Sequence, residues 1–225
     1  MTNNSLKTIL NYNENCIKNI IDYLDALKNV DENNAEQIKS LLDNLINSSD
    51  CLVHNVRQMP LEMGVECING KNIRDLTEEL IVESSGVKVD YIKDNWLGLR
   101  LPAIPPKRDN NYSDYLFLPL NFALKKFFQD SLFINKGKMI LIYRFVYSNT
   151  VPQKMYLDYD NLEVKMITDV IASHTTKTDH PTKLNNYNCF AQGEETHTEV
   201  FLLPNEDFPA WLEWEKSIPK VGILA

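Results

Sequence analysis

The first 57 residues contain two series of apolar residues at helical spacing, and this pattern limits the fold more than any other feature. Both series recur at three- and four-residue steps, as the buried stripe of an amphipathic helix does. The first series is Leu6, Leu10, Ile17, Ile20, Leu24 and Leu27, and the second is Ile38, Leu41, Leu45, Leu52 and Val56. The polar stretch 29–34 between them predicts a short turn, with Asp31, Asn33 or Asn34 as the helix cap. The pattern therefore predicts an antiparallel helical hairpin over residues 1–58.

One partner helix can cover only part of the stripe on each helix of this hairpin. A two-helix hairpin is also rarely stable alone, so it should pack on the rest of the chain or on a second copy. We therefore expect a homodimer, with the hairpin or the sheet of the main domain at its interface.

The rest of the chain alternates between strand and helix patterns, which predicts an α+β fold. Strands are predicted over residues 87–91, 96–101, 138–147 and 198–203, and helices over residues 73–84, 120–133, 162–172 and 208–216. Four regions follow: the hairpin, a linker with a short helix (59–87), an α/β domain with a mixed sheet and helices packed on it (88–205), and a C-terminal helix and tail (206–225). Residues 138–147 are the most apolar of the predicted strands, so they should lie inside the sheet.

The composition is that of a globular protein, with 44% hydrophobic and 24% charged residues in a chain of 225. No apolar run is long enough for a membrane span, and the N-terminus lacks the order of a secretory signal. The four cysteines form no C-x-x-C pair, which favours reduced thiols over a disulfide framework. These features predict a cytoplasmic protein without a membrane partner.

The net charge of −8 is unevenly distributed. Acidic residues exceed basic residues mainly within residues 1–87, whereas residues 88–205 are close to neutral. Such asymmetry suggests that the two parts have different partners, and a protein partner is possible for the acidic hairpin.

The segment 157–165, with the sequence LDYDNLEVK, carries the strongest chemical signal. Asp158 and Asp160 are two residues apart, so on extended backbone their side chains project to the same side. Asp179, which follows the predicted helix 162–172, is placed to be a third carboxylate. Magnesium prefers such hard oxygen ligands, and it can assist phosphodiester hydrolysis by activating a bound water.

A purely structural interpretation fits the same residues. Asp160 and Glu163 have the spacing of a capping box, in which both side chains satisfy free amides at a helix start. Asp158 would then be an exposed loop residue and Asp179 part of a turn. Lys165 would pair with Asp169 at the i+4 position.

The order of these elements and motifs resembles that of the RusA-type Holliday junction resolvases. The matching pieces are Leu101-Pro-Ala-Ile-Pro-Pro106 after the first long strand, a helix near 120–133, the strand 139–147, Asp158-Tyr-Asp-Asn161 before a helix, Thr178-Asp179, and the strand 198–203. They cover about half of the chain. That family consists of small dimeric α/β endonucleases encoded by phages and prophages.

The resemblance implies a magnesium-dependent endonuclease for branched DNA, from a mobile genetic element. It implies that Asp158, Asp160 and Asp179 bind the Mg²⁺ and that Lys165 assists catalysis. A non-catalytic binding or assembly protein that keeps the same fold is the alternative.

Six basic residues of the α/β domain are candidates for contacts with branched or duplex DNA. They are Lys107, Arg108, Lys136, Lys138, Lys177 and Lys183. Cations grouped on one face would contact phosphates, whereas scattered cations would simply be solvated.

Overall fold

The computed structural model describes residues 3–31, 34–62, 67–68, 71–93, 95–108, 114–129, 133 and 137–218. The chain divides into two compact units, Met1–Leu80 and Ile81–Ala225. The division falls within the segment 59–87 that the sequence assigns to a linker and a short helix.

The first unit contains the predicted helical hairpin. Its helices are α1, Asn3–Asn29, and α2, Ala35–Glu62. Asn34 caps α2, because its Oδ1 accepts a hydrogen bond from the backbone N–H of Gln37 at 3.1 Å. The hairpin is followed by two short paired strands, β1 (Cys67–Ile68) and β2 (Lys71–Asn72), and by the helix α3 (Ile73–Ser85).

The second unit contains a five-stranded mixed sheet, which confirms the predicted α+β class. Its strands are β3 (Lys88–Lys93), β4 (Trp96–Leu101), β5 (Met139–Ser148), β6 (Leu184–Gly193) and β7 (His197–Pro204). They lie in the order β3-β4-β7-β5-β6, and β5 and β6 are parallel while the other pairs are antiparallel. Every residue of β5 is buried, as its apolar sequence predicts.

Each face of this sheet has its own apolar core. The helices α4 (Asp114–Phe127) and α5 (Lys165–His174) contribute to the core on one face, which includes Leu141 and Tyr143 of β5. The helix α6 (Phe208–Glu215) contributes the fully buried Trp211 to the core on the other face. Because successive side chains of a strand point to opposite faces, β5 supplies residues to both cores.

Three elements differ from the sequence prediction, and the third, α5, begins three residues later than predicted. The helix predicted over residues 120–133 is α4, which begins earlier, so Pro119 lies inside the helix instead of in its first turn. Pro119 is buried beside core residues of α4, and this packing offsets the backbone hydrogen bond that proline cannot donate. The strand β6 was not predicted, because asparagine is rare in strands and three lie among its ten residues.

No helix among the described residues is long and apolar enough to cross a membrane.

Candidate functional site

The acidic segment after β5 is fixed to the sheet by stacked aromatic rings. Tyr156 stacks on Tyr147 with ring centroids 4.4 Å apart, and Tyr159 stacks on Phe145 at 5.5 Å. The backbone N–H of Leu157 donates to the Tyr147 hydroxyl at 3.1 Å. These contacts hold the backbone of the segment over the sheet. The intervening side chains of Asp158 and Asp160 are exposed to solvent.

The backbone around the two aspartates rules out the capping-box interpretation. Residues Tyr159–Asn161 form a 3₁₀ turn, and α5 begins only at Lys165, with Val164 as its N-cap residue. No side chain caps the start of α5. The helix therefore starts three residues later than predicted, and Asp160 is not its cap.

A strand-like contact with the segment after β4 explains this late start. Residues Lys107 and Leu162 form an antiparallel bridge. The N–H of Arg108 donates to the carbonyl of Asn161 at 2.9 Å, and the N–H of Glu163 donates to the carbonyl of Pro106 at 2.8 Å. The bridge keeps Leu162 extended, and it places the basic pair Lys107 and Arg108 beside residues 158–161, which we call the acidic turn.

Lys165 forms the ion pair that its i+4 spacing predicts. Its Nζ donates to Asp169 Oδ2 at 3.0 Å, with both side chains largely exposed. The hydrogen bond and charge of Asp169 raise the pKa of Lys165, and the more distant charges of Asp179 and Glu163 raise it further. The loop after α5 therefore brings Asp179 within electrostatic reach of Lys165.

The structure does not bring the three aspartates together as one group of possible metal ligands. Asp158, Asp160 and Asp179 all lie in the part of the chain that the structure describes, and no three acidic, histidine or cysteine side chains there are grouped to hold a metal ion. Their oxygens are suitable ligands for Mg²⁺. The magnesium site stays a prediction.

The predicted basic residues lie in separate places. Lys107 and Arg108 adjoin the acidic turn, whereas Lys138 and Lys183 adjoin the first residues of β5 and β6, where the Met139 N–H donates to the Lys183 carbonyl at 2.8 Å. Lys177 follows α5 and has a positive φ of 60°. Lys136 lies outside the described residues.

The opposite face of the sheet holds a buried ion network that the sequence analysis missed. Arg100, Glu199 and Arg144 are aligned across β4, β7 and β5. Arg144 Nη1 donates to Glu199 Oε2 at 2.6 Å, and both side chains are almost fully buried. His197 Nε2 lies 3.5 Å from Glu199 Oε1. The signal available in the sequence was a single Arg or Glu within each of these three largely apolar strands.

The buried ion network lies next to the thiol of Cys189 and to a cavity. Burial and the charge of Glu215 raise the pKa of Cys189 to about 12, so its thiol stays protonated at neutral pH and is a poor nucleophile. A cavity of about 430 Å³ is lined by residues that include Lys88, Arg100 and Glu195. Glu195 Oε2 accepts from Arg100 at 3.1 Å and balances its charge, so the cavity has no clear preference for anions.

The hairpin presents an apolar surface that faces solvent. Eight aliphatic side chains have exposed fractions between 41% and 53%. They are Leu10, Ile17, Ile21 and Leu24 of α1 and Leu42, Ile46, Val53 and Val56 of α2, and we call them the apolar face of the hairpin. Exposed apolar patches of several hundred Å² mark interaction sites in soluble proteins.

Comparison with known proteins gives a family match without a function. One family model, described as a family of unknown function (DUF6100), matches residues 2–223. No curated protein matches the chain.

Solved structures give only weak similarity. The periplasmic domain of Helicobacter pylori MotB, residues 90–256, is 13% identical with a TM-score of 0.35, over 60% of this chain and 90% of that chain. A second structure of that domain, residues 78–256, is 12% identical with a TM-score of 0.30, over 59% and 90% of the two chains. Similarity at this level supports no argument about this chain.

Proposed function

We propose that this chain, which belongs to the DUF6100 family, is a non-catalytic assembly protein that binds another protein chain through its helical hairpin. The apolar face of the hairpin is the observation on which this proposal depends. A surface with this many exposed aliphatic side chains is costly for a monomer in water and favours burial against a partner.

The positions of the residues at and near the acidic turn support a non-catalytic function. Asp158 and Asp160 do not join Asp179 in a group that could hold a metal ion. Lys165, the lysine that would assist catalysis, is paired with Asp169. Metal-dependent phosphodiester hydrolysis depends on side chains that hold the metal ion, and these three described aspartates are not grouped to do so.

A magnesium-dependent endonuclease for branched DNA, encoded by a mobile genetic element, is the second candidate function. Three features favour it: the RusA-like order of the elements, the position of Lys107 and Arg108 beside the acidic turn, and the electrostatic reach of Asp179 to Lys165. In this candidate Asp158, Asp160 and Asp179 would hold Mg²⁺, which would activate a water for hydrolysis, and the basic pair would contact a phosphate.

The cytoplasm is the compartment that we propose. Cys16, Cys51 and Cys189 are free thiols, as expected in a reducing environment.

A cleavage assay separates the two candidate functions. Wild-type protein is incubated with a synthetic four-way DNA junction or with linear duplex, in Mg²⁺, in Mn²⁺ or in EDTA. The assembly protein should give no cleavage above the EDTA background. Asp160→Asn and Asp179→Asn test the site, and Glu206→Gln, an exposed carboxylate outside the turn, is the matched control. Metal-dependent cleavage that both aspartate variants abolish and the control keeps would establish the nuclease and reject our proposal.

A further inference from the structure

The apolar residues of the two hairpin helices lie on one side of the hairpin. Successive residues of an α-helix are rotated by about 100°. On α1 the exposed residues are therefore rotated by about 80–90° from the side that contains the buried Asn13 and Cys16. On α2 the exposed residues are rotated by a similar angle, in the same sense, from the half-buried Leu45 and Leu52. Because the helices are antiparallel, equal rotations place both sets on the same side.

One contact on the opposite side of the hairpin checks this geometry. Tyr12 and Cys51 are rotated in the other direction from the buried sides of their helices. The Tyr12 hydroxyl lies 3.3 Å from Cys51 Sγ, so both residues lie on one common side. The apolar residues must share the other side. Leu24 and Leu42 lie at similar distances from the turn, as do Leu10 and Val56, so the two sets are level with each other.

We propose that the apolar face of the hairpin binds the same face of a second copy and forms a four-helix bundle. This inference rests on the proposed function and names the partner. Two hairpins that each present a flat apolar layer give the two layers of such a bundle, related by a twofold axis.

The dimensions of the face fit a stable dimer. Helices of 27 and 28 residues are about 40 Å long, and two adjacent helices are about 20 Å wide, so the face measures about 800 Å². This area is about what one partner contributes to a standard protein interface. The apolar residues extend over about 21 Å of each helix, and exposed polar residues such as Glu14 and Asp43 flank them. An apolar centre with polar edges is the usual anatomy of an interface.

The charges along the edges of the face permit self-association. The α1 edge carries both Glu14 and Lys18, and the α2 edge carries both Lys39 and Asp43. Two copies therefore meet with both signs of charge on every edge, as at the flanking positions of coiled coils. The hairpin is acidic overall, so higher salt should tighten the dimer by screening the repulsion between copies.

Light scattering after size-exclusion chromatography tests this interface on the full chain. The chain has a mass of 26.0 kDa, so we expect a wild-type mass of about twice that value at micromolar concentration. The variant Ile17→Glu/Ile21→Glu buries four carboxylates per dimer and should dimerise about 100-fold more weakly or less still. The variant Asn15→Glu/Asn19→Glu adds the same charges to exposed positions on the other side of α1 and should remain dimeric.

The outcomes distinguish failure of this interface from failure of the proposed function. A dimer in all three proteins would place the interface elsewhere and overturn the inference. A wild-type monomer at high micromolar concentration would also overturn it. The effect of Ile17→Glu/Ile21→Glu on the melting temperature would then show whether the apolar face is covered within the monomer. If Ile17→Glu/Ile21→Glu lowers the melting temperature of that monomer, the chain covers its own apolar face and the proposed function fails as well. If the melting temperature is unchanged, the face is open and the proposed function stands with a different protein as partner.

Discussion

The two units of the chain place their polar and apolar side chains in opposite ways. In the α/β unit, Arg144 and Glu199 lie buried on the same sheet face as the core residues Ile142 and Phe201, which are almost inaccessible to solvent. In the hairpin, Asn13 and Cys16 are the only buried side chains among those described in α1 and α2. The α/β unit therefore has a core of its own, whereas the hairpin leaves its apolar face exposed to solvent.

If the hairpin is the assembly surface that we propose, only this unit should depend on assembly. A sheet covered by helices on both faces buries enough apolar surface to fold alone. A two-helix layer cannot, because each helix has only one neighbour. The stability of the α/β unit should therefore be independent of protein concentration, while that of the hairpin should follow dimerisation.

Breaking the buried ion pair should have the largest effect on the α/β unit. Arg144→Met leaves Glu199 buried without its 2.6 Å partner and should lower the free energy of unfolding by about 3–5 kcal/mol. Urea unfolding followed by tryptophan fluorescence measures this effect, because Trp96, Trp211 and Trp214 all lie in the α/β unit.

The double variant Arg144→Met/Glu199→Leu is the matched control for that measurement. It removes both charges and should recover part of the lost stability, since much of the cost comes from a buried carboxylate that has lost its Arg144 partner. A loss below about 1 kcal/mol in Arg144→Met would mean that His197 or water stabilises the carboxylate of Glu199, and the contrast between the two units would be weaker than stated.

The features predicted correctly from the sequence depend on local spacing. The hairpin follows from apolar residues three and four positions apart, and the Lys165–Asp169 pair follows from the same helical geometry. The buried strand β5 follows from its run of apolar residues. In each case the information lies within one element.

The features that the sequence did not reveal depend on distant contacts. The bridge between Lys107 and Leu162 delays the start of α5, and no local pattern around Asp160 indicates it. The strand β6 is maintained by pairing with β5 along its whole length despite a polar sequence. Whether Asp179 reaches Asp158 depends on the path of the loop after α5, which the spacing of the aspartates does not determine.

The half-buried His174 should make the α/β unit sensitive to pH. Its Nε2 lies 2.9 Å from Asn121 Oδ1, and burial lowers the pKa of its ring in the folded chain. The unfolded chain therefore takes up a proton at a higher pH than the folded chain does. The free energy of unfolding should fall as the pH drops below about 6.5, and this contribution should be absent in His174→Gln.

Fluorescence-monitored urea unfolding at pH 7.5, 6.5 and 5.5 measures this dependence. His180→Gln is the control, since the side chain of His180 is exposed and the variant should keep the wild-type slope. An unchanged slope in His174→Gln would show that other groups determine the response to pH.

The smallest effects should come from exposed ion pairs, and here the two units should behave alike. Lys165 pairs with Asp169 in the α/β unit at 3.0 Å, and Lys28 pairs with Asp25 in the hairpin at 2.8 Å. Both pairs are largely exposed and join neighbouring turns of one helix, where water and salt screen the charges. Lys165→Met and Lys28→Met should each change the melting temperature by no more than about 1 °C. Tryptophan fluorescence measures the melting temperature of Lys165→Met, and helical circular dichroism measures that of Lys28→Met.

A much larger fall in the melting temperature of Lys165→Met alone would show that Asp179 and Glu163 act with Asp169 as a coupled network around this lysine. That result would favour the nuclease candidate, because Lys165 would then be positioned by carboxylates that include Asp179, which this candidate requires.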